Sequence, residues 1–106
     1  MSGPHVRVPK QAKAGEIIEV KTLISHPMET GLRKMPEGMP FPRKIINRFE
    51  CRYLDQTVFL GELHPSVSAN PYIAFLVRAV RSGKLEFAWT DDDGNVIRAE
   101  ADLVVI

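Results

Sequence analysis

The sequence predicts an all-β protein, an immunoglobulin-like or fibronectin-like antiparallel β-sandwich of about seven strands. Most of the chain alternates apolar and polar side chains with a period of two, an Asp-Gly turn separates the last two alternating segments, and no segment has a convincing helical period. With 106 residues, 44% hydrophobic and 25% charged, the chain fits one soluble domain over residues 1–106, flexible only at residues 1–5.

The first half of the chain contains the half-buried strands. A short strand is predicted around Val6–Val8, and segments 16–25 and 44–54 alternate as strands with one face on a core. Segments 57–63 and 72–80 are more continuously apolar, which predicts central strands. The side chains predicted to point inward are those of Ile18, Val20, Ile24, Ile45, Phe49, Cys51 and Tyr53.

The last third of the chain predicts a β-hairpin. Segments 84–90 and 96–106 alternate, and Asp93-Gly94 lies between them, which is a strong hairpin signal. The three aspartates 91–93 are interpreted as a solvated hairpin tip, because the alternating ligands and the closing glutamate of an EF-hand calcium loop are missing. The predicted inward side chains are Leu85, Phe87, Trp89, Ile97, Ala99, Ala101, Leu103 and Val105.

One segment, 27–42, does not have a strand pattern. It holds four prolines, two glycines and three of the four methionines. Because proline cannot donate to a strand ladder, this segment is predicted to be a long Pro/Met-rich crossover loop. Its methionines either form an adaptable partner surface or fold over the open end of the sandwich.

Charge and hydropathy exclude several classes of function. The net charge of +1 lacks the field that drives nonspecific nucleic-acid binding. No apolar run approaches the ~20 residues that span a bilayer, so no membrane segment is expected. The first residues also lack the apolar core of a signal peptide, which by itself indicates the cytoplasm.

The sequence offers few residues that could bind a metal ion. The chain has three histidines, of which His26 and His64 stand directly before prolines. A blue-copper site needs a cysteine, a histidine and a methionine close together on a loop, whereas Cys51 is predicted within a strand. The iron site of superoxide reductases needs four histidines, and a zinc site would require His5 near the chain start. No cofactor is therefore expected, although a metal-binding or redox sandwich that uses His26 and His64 remains an alternative.

Nucleophilic catalysis is also not supported. Cys51 is predicted on the inward face of a strand, where a thiol has a raised pKa and poor access. Ser66 and Ser68 lie near His64, but the segment has no glycine to expose a serine on a strained turn. No catalytic residue is predicted, and the residues alone indicate a binding or scaffold protein.

Four segments then carry a family resemblance. The stretches "ISHPMETG" (24–31), "PRKIINRF" (42–49), "LHPSVSANPY" (63–72) and "EFAWTDDDG" (86–94) resemble the SoxZ family, the Z subunits of the sulfur-oxidation carrier SoxYZ. The resemblance covers roughly residues 6–106.

The resemblance implies a noncatalytic subunit. In this family SoxZ forms a heterodimer with SoxY, whose C-terminal glycine-rich arm carries sulfur intermediates on a cysteine, and other sulfur-oxidation enzymes contact the complex transiently. Cys51 lies within a predicted strand and does not match such an arm. The family also implies a periplasmic protein exported with a signal-bearing SoxY. Because an unpaired subunit would expose a partner-sized apolar surface, a homodimer is a possible form of the isolated chain. An independent sandwich adaptor for another protein remains a further alternative.

Two segments are not explained as strands, the Pro/Met-rich loop 27–42 and the stretch "HPSVSANPY" at 64–72. Both are predicted to contact the partner. One alternative for the second segment is structural, with Asn70-Pro71 as a turn and Tyr72 as the anchor of a corner of the sandwich. A separate alternative for the interface is a sheet face or the edge of an outer strand. His26 and His64 are interpreted first as strand-end residues that open the two loops. The predicted partner-binding residues are His26, Pro27, Met28, Glu29, Gly31, Arg33, Arg43, His64, Ser68, Asn70, Pro71 and Tyr72.

Overall fold

The structure, a computed structural model, describes residues 4–25, 45–63 and 71–106. These ranges contain eight strands and no helix, so none of their segments is a helix that could cross a membrane. The first strand begins at His5, inside the segment predicted to be flexible. The strands are β1 (His5–Arg7), β2 (Gln11–Ala12), β3 (Ile17–Leu23), β4 (Ile46–Tyr53), β5 (Gln56–Glu62), β6 (Tyr72–Arg78), β7 (Gly83–Asp91) and β8 (Val96–Val105).

The strands form the two sheets of the predicted sandwich. A three-stranded antiparallel sheet has the order β1-β3-β6, and a five-stranded sheet has the order β2-β8-β7-β4-β5. The extra strand relative to the prediction is β2, which pairs in parallel with β8. It is only two residues long, too short to show a period of two.

The core lies between the sheets and contains most of the predicted inward residues, together with Ala12, Ile46, Leu63, Phe75, Val77 and Ala79. On β8 only Leu103 is fully buried, and the other predicted inward residues, Ile97, Ala99, Ala101 and Val105, are partly buried against the core. All seven inward positions predicted in the first half of the chain are buried, and Phe49 lies at the centre of an aromatic cluster. Its ring centroid is 5.1 Å from that of Trp89 and 5.9 Å from those of Phe59 and Phe75. Burying each large apolar side chain stabilises the fold by roughly 1.5–3 kcal/mol, so this cluster joins the sheets.

The prediction that segments 57–63 and 72–80 form central strands is wrong. Among the strands that the structure describes, β5 ends the five-stranded sheet and β6 ends the three-stranded sheet. Their outward side chains are not covered, because Leu60 is 52% exposed and Leu76 is 66% exposed. A continuous apolar pattern indicates that both faces of a strand avoid water, but it does not say whether a strand of the same chain or another surface covers them.

The β7–β8 hairpin is present as predicted, with Gly94 at a positive φ of 83°. Its tip, however, is not fully solvated. Asp91 is only 8% exposed, and its carboxylate accepts hydrogen bonds from the backbone amides of Asp93 and Asn95, both at 2.9 Å. Short acidic side chains bond readily to the backbone two residues on, which explains why this aspartate turns inward.

Candidate partner-binding surface

Most of the predicted partner-binding residues lie outside the described residues. Pro71 and Tyr72 are described. Pro71 is buried, and its carbonyl accepts a hydrogen bond from the Ile24 amide at 3.4 Å. Tyr72 begins β6 and is 59% exposed. Whether these residues contact a partner stays a prediction. Those outside are His26, Pro27, Met28, Glu29, Gly31, Arg33, Arg43, His64, Ser68 and Asn70.

Tyr72 borders a groove of about 480 Å³ on the three-stranded sheet. Strand register places His5, Leu23 and Tyr72 in one row across β1, β3 and β6. The next outward-facing row consists of Arg7, Lys21 and Ala74. The exposed ring of Tyr72 thus ends one row, and the neighbouring row carries the two cationic side chains of Arg7 and Lys21.

The outer face of the three-stranded sheet is unusually apolar for a solvated surface. Ile17, Leu23, Tyr72 and Leu76 are each at least 40% exposed there. The charged side chains that alternate with them are mainly basic, since Arg7, Lys21 and Arg78 stand against Glu19. An exposed apolar surface with one sign of charge is typical of a binding face.

The outer face of the five-stranded sheet has a different character. Lys84 forms an ion pair with Glu100 at 3.2 Å, and this hydrogen bond raises the pKa of the lysine. Arg52 lies 3.9 Å from Glu50, which also accepts a hydrogen bond from the Thr57 hydroxyl. The first pair crosses neighbouring strands and the second lies within β4. On the three-stranded sheet Lys21 likewise lies 3.4 Å from Glu19, and Leu60, Val96 and Val104 are exposed on the five-stranded sheet. The two outer faces therefore differ mainly in the balance of their charges, which is mixed on the five-stranded sheet and mainly basic on the three-stranded one.

Between the edges of the two sheets, on the side where β5 faces β6, lies a groove of about 340 Å³, called here the β5–β6 groove. Phe59 of β5 stacks on Phe75 of β6 beside it, with ring centroids 4.5 Å apart. Apolar exposed side chains thus continue from the outer face of the three-stranded sheet around its edge. The groove is lined by Tyr53, Leu54, Val58, Leu76, Arg78 and Val80, among others.

The single thiol does not add a reactive group to this surface. Cys51 is fully buried, as predicted, and burial is the main cause that raises its pKa to about 12, with the nearby charge of Glu50 adding to it. A thiol is nucleophilic as the thiolate, which is scarce at neutral pH with such a pKa. The described part of the chain contains no group of three or more His, Cys, Asp or Glu side chains that could hold a metal ion.

Known structures share this sandwich. A superoxide reductase (neelaredoxin) from Ignicoccus hospitalis matches with a TM-score of 0.77 and 16% identity, covering 99% of this chain and 81% of that one. A putative superoxide reductase from Thermotoga maritima gives 0.74 and 15% identity over 97% and 85% of the two chains. The sulfur carrier protein SoxY from Chlorobium limicola f thiosulfatophilum gives 0.69 and 15% identity over 100% and 81%.

At these identities the structural matches show the fold alone. No curated protein sequence matches the chain significantly. The profile of a protein family, that of the sulphur oxidation protein SoxZ, matches residues 6–102, nearly the whole chain. The resemblance found in the four sequence segments is thereby confirmed. The chain belongs to the SoxZ family of sulphur oxidation proteins.

Proposed function

We propose that this chain is the noncatalytic subunit of a SoxYZ carrier complex. In this complex it binds a SoxY subunit, whose C-terminal cysteine arm carries the sulfur intermediates. The observation that carries the proposal is the SoxZ family match over residues 6–102. The periplasm, reached together with a signal-bearing SoxY, is part of the same proposal.

Two features of the described residues support a binding role. Cys51 is buried with a pKa of about 12, whereas a carrier thiol must be exposed and ionised to accept sulfur. The outer face of the three-stranded sheet and the β5–β6 groove together expose apolar side chains that a second subunit would cover. Covering them would remove apolar area from water and stabilise the complex.

The binding experiment mixes the purified chain with SoxY at micromolar concentration and measures the mass of the product by light scattering. We expect a stable 1:1 complex, with a β-sandwich protein unrelated to sulfur oxidation as the negative control. Two separate species at that concentration would contradict the proposal.

The noncatalytic role needs its own measurement. After the complex is incubated with a polysulfide donor, intact-mass spectrometry should find added sulfur on SoxY and none on this chain. A complex that contains Cys51→Ala should load SoxY to the same extent. Sulfur found on Cys51, or a stoichiometric metal in the purified chain, would favour the alternative of a redox or metal-binding sandwich.

A further inference from the structure

The backbone of β6 has one edge that no described strand occupies. The amide of Ile24 donates to the carbonyl of Pro71, and the amide of Ala79 donates to the carbonyl of Glu16. The register of β3 and β6 pairs Leu23 with Tyr72 at one end and Ile17 with Arg78 at the other. The two hydrogen bonds therefore join the next opposite pair beyond each end. Because bonded and non-bonded pairs alternate in an antiparallel ladder, the odd-numbered residues from 71 to 79 direct their backbone groups toward β3.

The even-numbered residues of β6 therefore direct their backbone N–H and C=O groups away from β3. These residues are Tyr72, Ala74, Leu76 and Arg78, and the side chains of all four are exposed. In the described part of the chain, β6 pairs with β3 alone. Four alternate positions thus present both donors and acceptors to an edge that no strand of residues 4–25, 45–63 or 71–106 occupies.

Within β6 itself, four of the devices that usually prevent strand pairing are missing, namely proline, lysine, a bulge and a very short length, and its one charged side chain is Arg78 at the end of the strand. Its sequence "YIAFLVR" has neither proline nor lysine, and its register with β3 runs without a shift. The other edges are shorter or irregular. β1 and β2 have three and two residues, and β5 meets β4 with a register shift between Cys51 and Arg52.

We propose that β6 accepts an extended strand of the SoxY subunit, which continues the three-stranded sheet of this chain into its partner. This inference rests on the proposed function and adds the place and the mode of binding. Main-chain hydrogen bonds would supply affinity, and alternate side chains of the added strand would supply specificity. Those on its inner face would fill the β5–β6 groove, where Val58 and Val80 are exposed.

Charge determines the choice of occupant. On the outward face beside the edge, Lys21 lies 3.4 Å from Glu19, and Arg7 and Arg78 add two further positive charges. The Arg78 guanidinium donates to the Gly15 carbonyl at 3.0 Å, which leaves its charge uncompensated by that contact. Two copies of this chain joined edge to edge would place two basic faces in one sheet, which is unfavourable. A SoxY strand with an acidic side chain near Arg78 and an apolar one near Leu76 fits the edge instead. The partner is therefore expected to be acidic and apolar at the contact.

Hydrogen exchange of the backbone amides tests the mode of binding directly. In the isolated chain, the amides of residues 73, 75 and 77 should exchange slowly and those of 74, 76 and 78 rapidly. In the SoxY complex, the second set should become protected, by about tenfold or more. A complex that forms without protecting these three amides would overturn the inference and leave the proposed function intact.

A variant separates the backbone from the side chain. Ala74→Pro removes an N–H that points to the open edge, so the β3–β6 ladder keeps its bonds. Ala74→Ser keeps the N–H and is the matched control. We expect proline to weaken SoxY binding about tenfold or more, and serine to change it less than threefold. Equal binding by folded Ala74→Pro would contradict strand addition.

Two further outcomes complete the test. If Ala74→Pro unfolds, the exchange pattern of the unmodified chain decides the question alone. Protection of amides 74, 76 and 78 that appears without SoxY and grows with protein concentration would assign the edge to a second copy of this chain, and would overturn the choice of partner.

Discussion

The hydroxyl of Tyr53, at the end of β4, donates a hydrogen bond to the carbonyl of Arg81 and accepts one from the amide of the same residue at 3.1 Å. The amide of Val80 also donates to this hydroxyl, at 3.2 Å. One buried side chain of the five-stranded sheet thus fixes the link between β6 and β7. Tyr72 lies at the other end of β6 and is 59% exposed, and its role as a corner anchor stays a prediction.

Tyr53→Phe should lower the free energy of unfolding by about 1–3 kcal/mol, because it leaves three backbone groups at a part-buried site without their partner. The phenyl ring keeps the packing, so the fold should persist. Urea unfolding followed by Trp89 fluorescence measures the change. Tyr72→Phe, at an exposed position, is the control and should stay within roughly 0.5 kcal/mol of the unmodified chain.

Ionisation of Cys51 should make the fold less stable at high pH. Its folded pKa is about 12 against an ordinary value of 9.0, so the neutral thiol is favoured in the folded chain. The stability that the neutral thiol contributes to the fold is complete below pH 9 and is lost as the pH rises from there toward 12. Between about pH 8 and pH 10, the stability of the unmodified chain relative to Cys51→Ala should fall by about 1 kcal/mol. Urea unfolding at both pH values gives this difference.

Thiol labelling is the independent check on the same residue. A thiol reagent at neutral pH should modify the native chain far more slowly than the urea-unfolded chain, because access requires opening of the core. Cys51→Ala gives the background rate. Rapid and complete labelling of the native protein would show that the thiol is not buried.

The carboxylate of Asp92 connects the β7–β8 hairpin to the start of β4. It accepts hydrogen bonds from the amide of Ile45 at 3.1 Å and from the side-chain amide of Asn47 at 2.8 Å. Asp92→Ala should therefore cost about 1–3 kcal/mol of stability and speed hydrogen exchange at Ile45. Asp102→Ala, on the exposed face of β8, is the control. An unchanged exchange rate at Ile45 would contradict this role.

The strands were predictable because side-chain alternation records which face is buried. Phe49, Cys51, Leu85 and Trp89 are all fully buried where the period of two places them. The hydrogen bonds of Tyr53 were not predictable, since they join positions almost 30 residues apart that only the sandwich brings together. Likewise, no local pattern gives the order of strands in a sheet, which is why β5 and β6 were predicted to be central.

The predicted binding site is a different case. Its two loops were identified because prolines and glycines interrupt the alternation, and most of their residues lie outside the described ranges. The sequence of β6 did contain a signal for the candidate surface, namely its continuous apolar run, but this run was interpreted as a strand buried within the chain. The outward apolar residue Leu76 continues an apolar run, and the same pattern fits a strand covered by another subunit.

A charge substitution at this position tests that interpretation. Leu76 is 66% exposed, so Leu76→Asp should leave the isolated chain folded. Because the new carboxylate lies opposite Glu19 of β3, it should lower the free energy of unfolding by roughly 0.2–1 kcal/mol. In the SoxY complex, the new carboxylate would be buried without a matching partner, and affinity should fall about tenfold or more. Calorimetric titration with SoxY gives the affinity. Val96→Asp, on the outer face of β8, where the valine is 41% exposed, is the matched control and should leave binding within about twofold. Equal losses from the two variants would mean that the partner does not single out the β6 edge, and a loss from Val96→Asp alone would move the contact to the five-stranded sheet.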